Sequence, residues 1–161
     1  MTDKITNIKT LILNKIDYCF HIVLNNDEDV LDVIASKLEN GYKMVLVEIG
    51  NISTADFIKT SRKIHQLCSI YNALFIVKNR ADICYILKAD GLCLDDNEIE
   101  IKQAKDIIGE DKLISRHFKN IQNSILSDLN EIDYIIQEKN EIDALNDILG
   151  ASNKKIITIK R

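Results

Sequence analysis

Three short stretches carry side chains whose types and spacing could do chemistry. Ser115-Arg116-His117 closes an apolar run, and an imidazole there suits general acid–base work because histidine ordinarily titrates near neutrality. Lys78-Asn79-Arg80 follows Leu74-Phe75-Ile76-Val77, which puts a cation at the end of another apolar run, where it could bind an anion. Asp95-Asp96-Asn97-Glu98 gathers three carboxylates in four residues. Such a cluster could hold a weakly bound magnesium ion, although it reads more simply as a solvated turn opening a helix. The other reactive types read as packing. His21 and His65 are expected to be partly buried, and Cys19, Cys68, Cys84 and Cys93 lie 49, 16 and 9 residues apart with no C-x-x-C pair. Zinc spacing is therefore absent, and small, buried, reduced thiols are expected.

The chain's 25 acidic residues against 21 basic ones leave a formal charge of −4. Its densest basic feature is Lys154-Lys155 with Lys160-Arg161, so no cationic face for a nucleic-acid backbone is expected. The apolar stretch around Tyr85-Ile86-Leu87 falls far short of the roughly 18 residues a membrane span needs. Met1-Thr2-Asp3-Lys4 lacks the charged-then-apolar layout of a signal peptide, and a cytoplasmic protein is expected. No proline- or serine-rich spacer divides the chain, so residues 1–161 are expected to form one domain.

The elements that must position these side chains alternate between two periods. Apolar, β-branched runs recur at 19–24, 44–49, 74–77, 91–94, 112–115, 133–136 and 155–159. Several are apolar almost throughout, as in parallel strands covered on both faces. Helical patterns lie between them: one from Asp27 or Glu28 to Gly41, one opened by Ser53-Thr54-Ala55-Asp56 and running through Ile70, then 81–88, 101–108, 121–129 and 141–149. A further helical segment, 5–16, precedes the first strand. Strands alternating with helices imply a parallel sheet with right-handed crossovers, either open and doubly wound or closed as a barrel.

The run Leu74-Phe75-Ile76-Val77-Lys78-Asn79-Arg80-Ala81-Asp82, then Ala89-Asp90-Gly91-Leu92-Cys93-Leu94, then Ile108-Gly109-Glu110-Asp111-Lys112-Leu113-Ile114 resembles thiamine phosphate synthase and its thiazole tautomerase relatives. Those proteins read "L-I-N-D-R-x-D-x-A", "G-A-D-G-V-H-L-G-Q-x-D" and "L-G-x-D-K-I-I-G" in the same order and spacing. Glu39-Asn40-Gly41 upstream and Ile132-Asp133-Tyr134-Ile135 downstream extend the resemblance over roughly 18–139. It implies an α/β fold of the TIM-type (β/α) barrel class, here incomplete, with about seven strands and an N-terminal helix.

The resemblance also implies where a site would lie and what it would lack. The synthases' "Q-x-R-x-K" pyrophosphate clamp corresponds to Leu46, Glu48 and Gly50. Glu48 in place of a cation would turn attraction into repulsion worth on the order of several kcal/mol. Lys78-Asn79 stands at the "N-D" pair, Asp95-Asp96-Asn97-Glu98 at "G-Q-x-D", and Ser115 at "G-x-S-x-H", with His117 two positions off the family's histidine. Arg80 is expected to pair with Asp95 or Asp96 across the barrel mouth. Gln137-Glu138-Lys139 replaces a glycine-rich loop, and the eighth strand's phosphate loop is expected to be missing.

The resulting expectation is a shortened family member that has lost pyrophosphate-dependent synthase activity and binds a ligand or partner without catalysis. The alternative is a diverged enzyme of thiamine biosynthesis acting on a thiazole phosphate. His117 is the catalytic candidate, and Glu48, Lys78, Asn79, Arg80, Asp95, Asp96, Glu98 and Ser115 are ligand-binding candidates. No metal is required, weak magnesium binding aside, and the ligand would be thiazole phosphate or thiamine phosphate. The first and seventh strands would be left without a neighbour between them, so a homodimer is expected to cover the open side.

Overall fold

The computed structural model describes residues 2–119, 129–150 and 154–161. Helix α1 (Thr2–Leu13) precedes β1 (Tyr18–Leu24), α2 (Val30–Glu39), β2 (Met44–Ile49), α3 (Thr54–Ile70), β3 (Leu74–Lys78), α4 (Ala81–Leu87) and β4 (Gly91–Asp95). Then come α5 (Ile101–Ile108), β5 (Leu113–His117), β6 (Tyr134–Gln137), a single 3₁₀ turn (Lys139–Glu141), α6 (Ile142–Leu149) and β7 (Ile156–Lys160). All seven apolar runs are strands, to within two residues at their ends. The helix expected over 121–129 lies almost wholly outside the described residues. No helix among them is long and apolar enough to cross a membrane.

Local chemistry sets the helix boundaries. The hydroxyl of Ser53 accepts from the Asp56 amide at 3.1 Å and donates to its carboxylate at 2.7 Å, satisfying one orphan donor of the first turn of α3. Phe57, Ser61, Ile64 and Cys68 then recur at helical spacing on the buried face. Each large apolar side chain buried this way contributes about 1.5–3 kcal/mol. His65 stacks on Phe75 with ring centroids 4.8 Å apart, in keeping with the packing role expected of it.

The sheet closes without an eighth strand. Consecutive strands pair in parallel from β1 to β7, and β7 pairs with β1 through Tyr18↔Thr158, Cys19↔Ile159 and Phe20↔Lys160. The two open edges expected at Cys19 and Ile159 therefore do not exist, and a covering homodimer has no edge to cover. Side-chain size is the physical reason. Barrel diameter grows with strand number, so seven strands leave a narrow lumen. The middle of that lumen is built from Cys19, Leu46, Ile76, Cys93, Ser115, Tyr134 and Ile157. Cys19, Cys93 and Ser115, set among the larger residues, let the walls approach.

Strand alternation produces two cores. Phe20, Val45, Val47, Phe75, Val77, Leu92 and Ile114 point outward into the helices. Met44, Leu74 and Leu113 fill the floor of the barrel, where Leu13 and Ile16 enter from the end of α1 and close it from below. The end of α1 and the turn that follows it thus close the floor. Gly91 sits in the same layer, where an added Cβ would lie 2.6 Å from the Leu113 carbonyl oxygen and 2.8 Å from its Cβ. Neither atom can step aside, so Gly91→Ala is expected to lower stability by about 1–3 kcal/mol, read from the midpoint of urea unfolding.

Candidate functional site at the barrel mouth

At the C-terminal ends of β1 to β5 the inward positions change from apolar to ionisable. The alternation that makes Cys19, Leu46, Ile76, Cys93 and Ser115 face inward brings His21, Glu48, Lys78, Asp95 and His117 to the next level up. A recess of about 380 Å³ opens above them, lined by His21, Val23, Glu48, Lys78, His117 and Lys119 on most of its wall, with Glu138, Glu141 and Arg161 completing it.

The groups form one continuous chain of contacts. Nε2 of His21 lies 2.7 Å from Oε2 of Glu48, and Nζ of Lys78 lies 3.3 Å from the same oxygen. The same ammonium lies 3.4 Å from Oδ1 of Asp95, which Nδ1 of His117 approaches to 3.3 Å. Lys119 reaches the other oxygen of Asp95 at 2.9 Å. Lys78, Asp95 and His117 are each at most 5% exposed, so these charges interact in a medium far less screening than water. The hydrogen bond from His21, outweighing partial burial, holds the Glu48 carboxyl below its ordinary range. Burial alone would push Asp95 up. The close approach of His117, hydrogen bonds from Asn79 and Lys119 and the charge of Lys78 outweigh it and hold Asp95 far below the usual carboxylate range.

Each expected site residue can now be placed. Glu48 and Lys78 face the recess. Asn79, in the left-handed region at φ 63°, donates from its amide to Asp95 at 3.0 Å and accepts the Asp95 backbone N–H at 2.8 Å. Its carbonyl is thus committed to the backbone. Arg80 does not cross the mouth: its guanidinium makes a bidentate pair with Asp82, at 2.9 and 2.7 Å. A partner two residues away in the first turn of α4 costs less chain ordering than one across the barrel. Asp96 is half-buried beside the mouth and Glu98 is exposed on the turn. Ser115 lies one layer down between its strand neighbours Cys93 and Tyr134, and does not line the recess. His117, also readable as an exposed loop residue, is an inward residue of β5 at 3% exposure.

The arrangement does not fit a magnesium ion. An ammonium already stands between the two innermost carboxylates, Glu48 and Asp95, at the position a dication would need. The Asn79 side-chain oxygen already accepts the Asp95 N–H, and among the described residues no three His, Cys, Asp or Glu side chains are grouped closely enough to hold a metal. The four cysteines are free and buried, and burial pushes the Cys68, Cys84 and Cys93 thiols up to about 12, which leaves them inert.

Sequence reasoning passed over His21, Lys119, Glu138 and Arg161. His21 was legible in principle. A polar residue two positions beyond inward Cys19 faces the same way and marks where an apolar lumen ends. Arg161 was hidden by its partner, since its bidentate pair with Glu138, at 2.6 and 3.2 Å, joins the ends of β7 and β6 across a contact no spacing reveals.

A family model described as thiamine monophosphate synthase matches residues 19–137, from β1 to the end of β6. The chain belongs to that family. The thiamine-phosphate synthase of Fusobacterium nucleatum is 34% identical over 110 residues, covering 68% of this chain and 53% of that protein. That of Methanobrevibacter smithii is 29% identical over 126 residues, covering 76% and 60%. The chain spans about half the length of the curated relatives it matches. Among solved structures, thiamine phosphate pyrophosphorylase from Pyrococcus furiosus superposes with a TM-score of 0.74 at 20% identity, over 89% of this chain and 74% of that one. The 4-hydroxy-tetrahydrodipicolinate synthase of Methylacidiphilum fumariolicum gives 0.61 at 13% identity, over 89% and 62%. At these identities the superpositions bear on the fold, the TIM-type barrel of the thiamine monophosphate synthase family.

Proposed function

We propose that this member of the thiamine monophosphate synthase family is a metal-independent acid–base catalyst acting on a thiazole phosphate, tautomerase-like rather than synthase-like. The observation that carries the reading is the pair of buried imidazoles at the mouth, His21 bonded to Glu48 and His117 within 3.3 Å of Asp95, with neither ring nitrogen of His117 completing a hydrogen bond to the protein. Nδ1 of His117 faces Asp95 at 3.3 Å, and a proton held on that side leaves Nε2 as the nitrogen that accepts a proton from the ligand. The proton taken there is returned at a second ligand atom, so the change is an isomerisation needing no oxidant or co-substrate. His21, set on Glu48, is the second acid–base group. Lys78 neutralises both carboxylates and fixes their spacing, and Lys119 and Arg161 at the rim offer the cations that would meet a phosphate.

A synthase would instead have to hold a pyrophosphate. Leu46 is fully buried in the lumen, Glu48 presents a negative charge, and a side chain at Gly50 would collide with the Asn25 amide and the Leu24 carbonyl. Incubation with a pyrimidine pyrophosphate, a thiazole phosphate and magnesium is therefore expected to give no coupled product above background, followed by chromatography of the thiamine phosphate formed. Calorimetry with thiazole phosphate and with thiamine phosphate tests the ligand. Binding of the first without turnover would favour the non-catalytic, ligand-binding reading, and magnesium-dependent coupling would refute the proposal.

A further inference from the structure

Gln137, the last residue of β6, is fully buried, and its side chain points away from the recess. Its amide nevertheless makes three bonds. Oε1 accepts the Phe118 backbone N–H at 3.2 Å, and Nε2 donates to the Phe118 carbonyl at 2.8 Å and to Oε2 of Glu141 at 2.5 Å. Phe118 follows His117 directly and precedes Lys119, the two groups that approach Asp95 from β5. The two peptide units flanking Phe118 are thus held by one side chain, the first through its N–H and the second through its C=O, and the same side chain ties down the turn leading into α6. A primary amide carries its acceptor and its donors on separate atoms, and so can meet an N–H and a C=O of the same residue at once.

We infer that Gln137 is a positioning residue that fixes the His117 ring against Asp95. Without it the end of β5 keeps its ladder bonds, the Arg116 bonds to the Asp95 and Ile99 carbonyls and the Lys119–Asp95 pair, but loses the one side chain that grips the Phe118 backbone, and the ring is free to drift from its 3.3 Å approach to Asp95. The inference depends on the proton-transfer reading only where it speaks of turnover. Its structural content stands on the clamp alone.

Gln137→Met preserves length and apolar packing while deleting all three bonds. Nitrogen-15 spectra of the histidine rings, with His21 as an internal reference, supply the test. The parent is expected to show His117 in one tautomer, with the proton on Nδ1. The Gln137→Met protein is expected to show His117 averaged between tautomers with His21 unchanged, and a kcat lower by on the order of tenfold or more with KM little affected. Gln137→Glu keeps the acceptor for the Phe118 N–H but loses both donations, and it serves the same reading if the methionine variant does not fold. An unchanged His117 pattern in a folded variant, or equal changes in His21 and His117, would overturn the inference. A changed His117 pattern with unchanged turnover would support the clamp and tell against proton transfer by His117.

Discussion

Asp95→Ala is expected to lower the stability of the barrel by about 3 kcal/mol, seen as a lower urea midpoint with an unchanged slope. The carboxylate is 3% exposed and is shared among Lys78, His117, Lys119 and the Asn79 amide. Deleting it leaves the buried Lys78 ammonium with Glu48 as its remaining carboxylate partner and strips Asn79 of an acceptor. One-sided removal from a buried pair costs about 3–5 kcal/mol, and the surviving Lys78–Glu48 contact places this case at the lower end. Asp95→Asn, which keeps the shape and one acceptor oxygen, is expected to lose less. The sign of the pH dependence follows from the depressed carboxyls. Asp95 and Glu48 titrate lower in the folded than in the unfolded chain, so the stability they contribute is complete above the ordinary carboxylate range and is lost progressively as pH falls below it toward their depressed folded values. The parent's midpoint should therefore fall on acidification, and the Asp95→Ala curve should be flatter there. A loss below about 1 kcal/mol would show that the network is not a structural element of the mouth.

His117→Ala is expected to slow conversion of a thiazole phosphate tautomer by about 10²–10⁴-fold, the range that a positioned general base supplies. The ring is buried at the end of β5, turns Nδ1 toward Asp95 at 3.3 Å, and completes no hydrogen bond to the protein through either nitrogen. Removing it takes away the acceptor without disturbing the ladder that holds β5 to β4 and β6. Glu48→Gln, which weakens the carboxylate under His21 but leaves His117 intact, is expected to cost less than His117→Ala. Kinetics on the two variants separate the roles, and parent-like turnover in His117→Ala would remove that residue from the chemistry.

The strands and most helix ends were legible because they rest on local rules: apolar runs between helical patterns, Ser53 as a cap, Gly41 past the end of α2. Family motifs turned that alternation into a barrel. What escaped was set by relations between distant parts. Closure of seven strands depends on the summed bulk of side chains such as Cys19, Cys93 and Ser115, contributed by different strands, and no single run records it. Arg80 was assigned a long-range partner because its charge faces the mouth in sequence order, yet Asp82 satisfies it locally. His21 looked like packing because its neighbours are apolar. The same alternation, followed one step past Cys19, places it beside Glu48. Gln137 could not have been singled out at all, since its three partners come from the ends of β5 and the turn before α6.

The central claim is that the mouth performs proton transfer with its own side chains and no metal. The most direct measurement is conversion of one thiazole phosphate tautomer to the other, followed by proton NMR, with the parent protein and a strong chelator present. Conversion above the uncatalysed rate, unchanged by chelator and lost in His117→Ala, is the expected result. Conversion that vanishes with chelator and survives His117→Ala would contradict it.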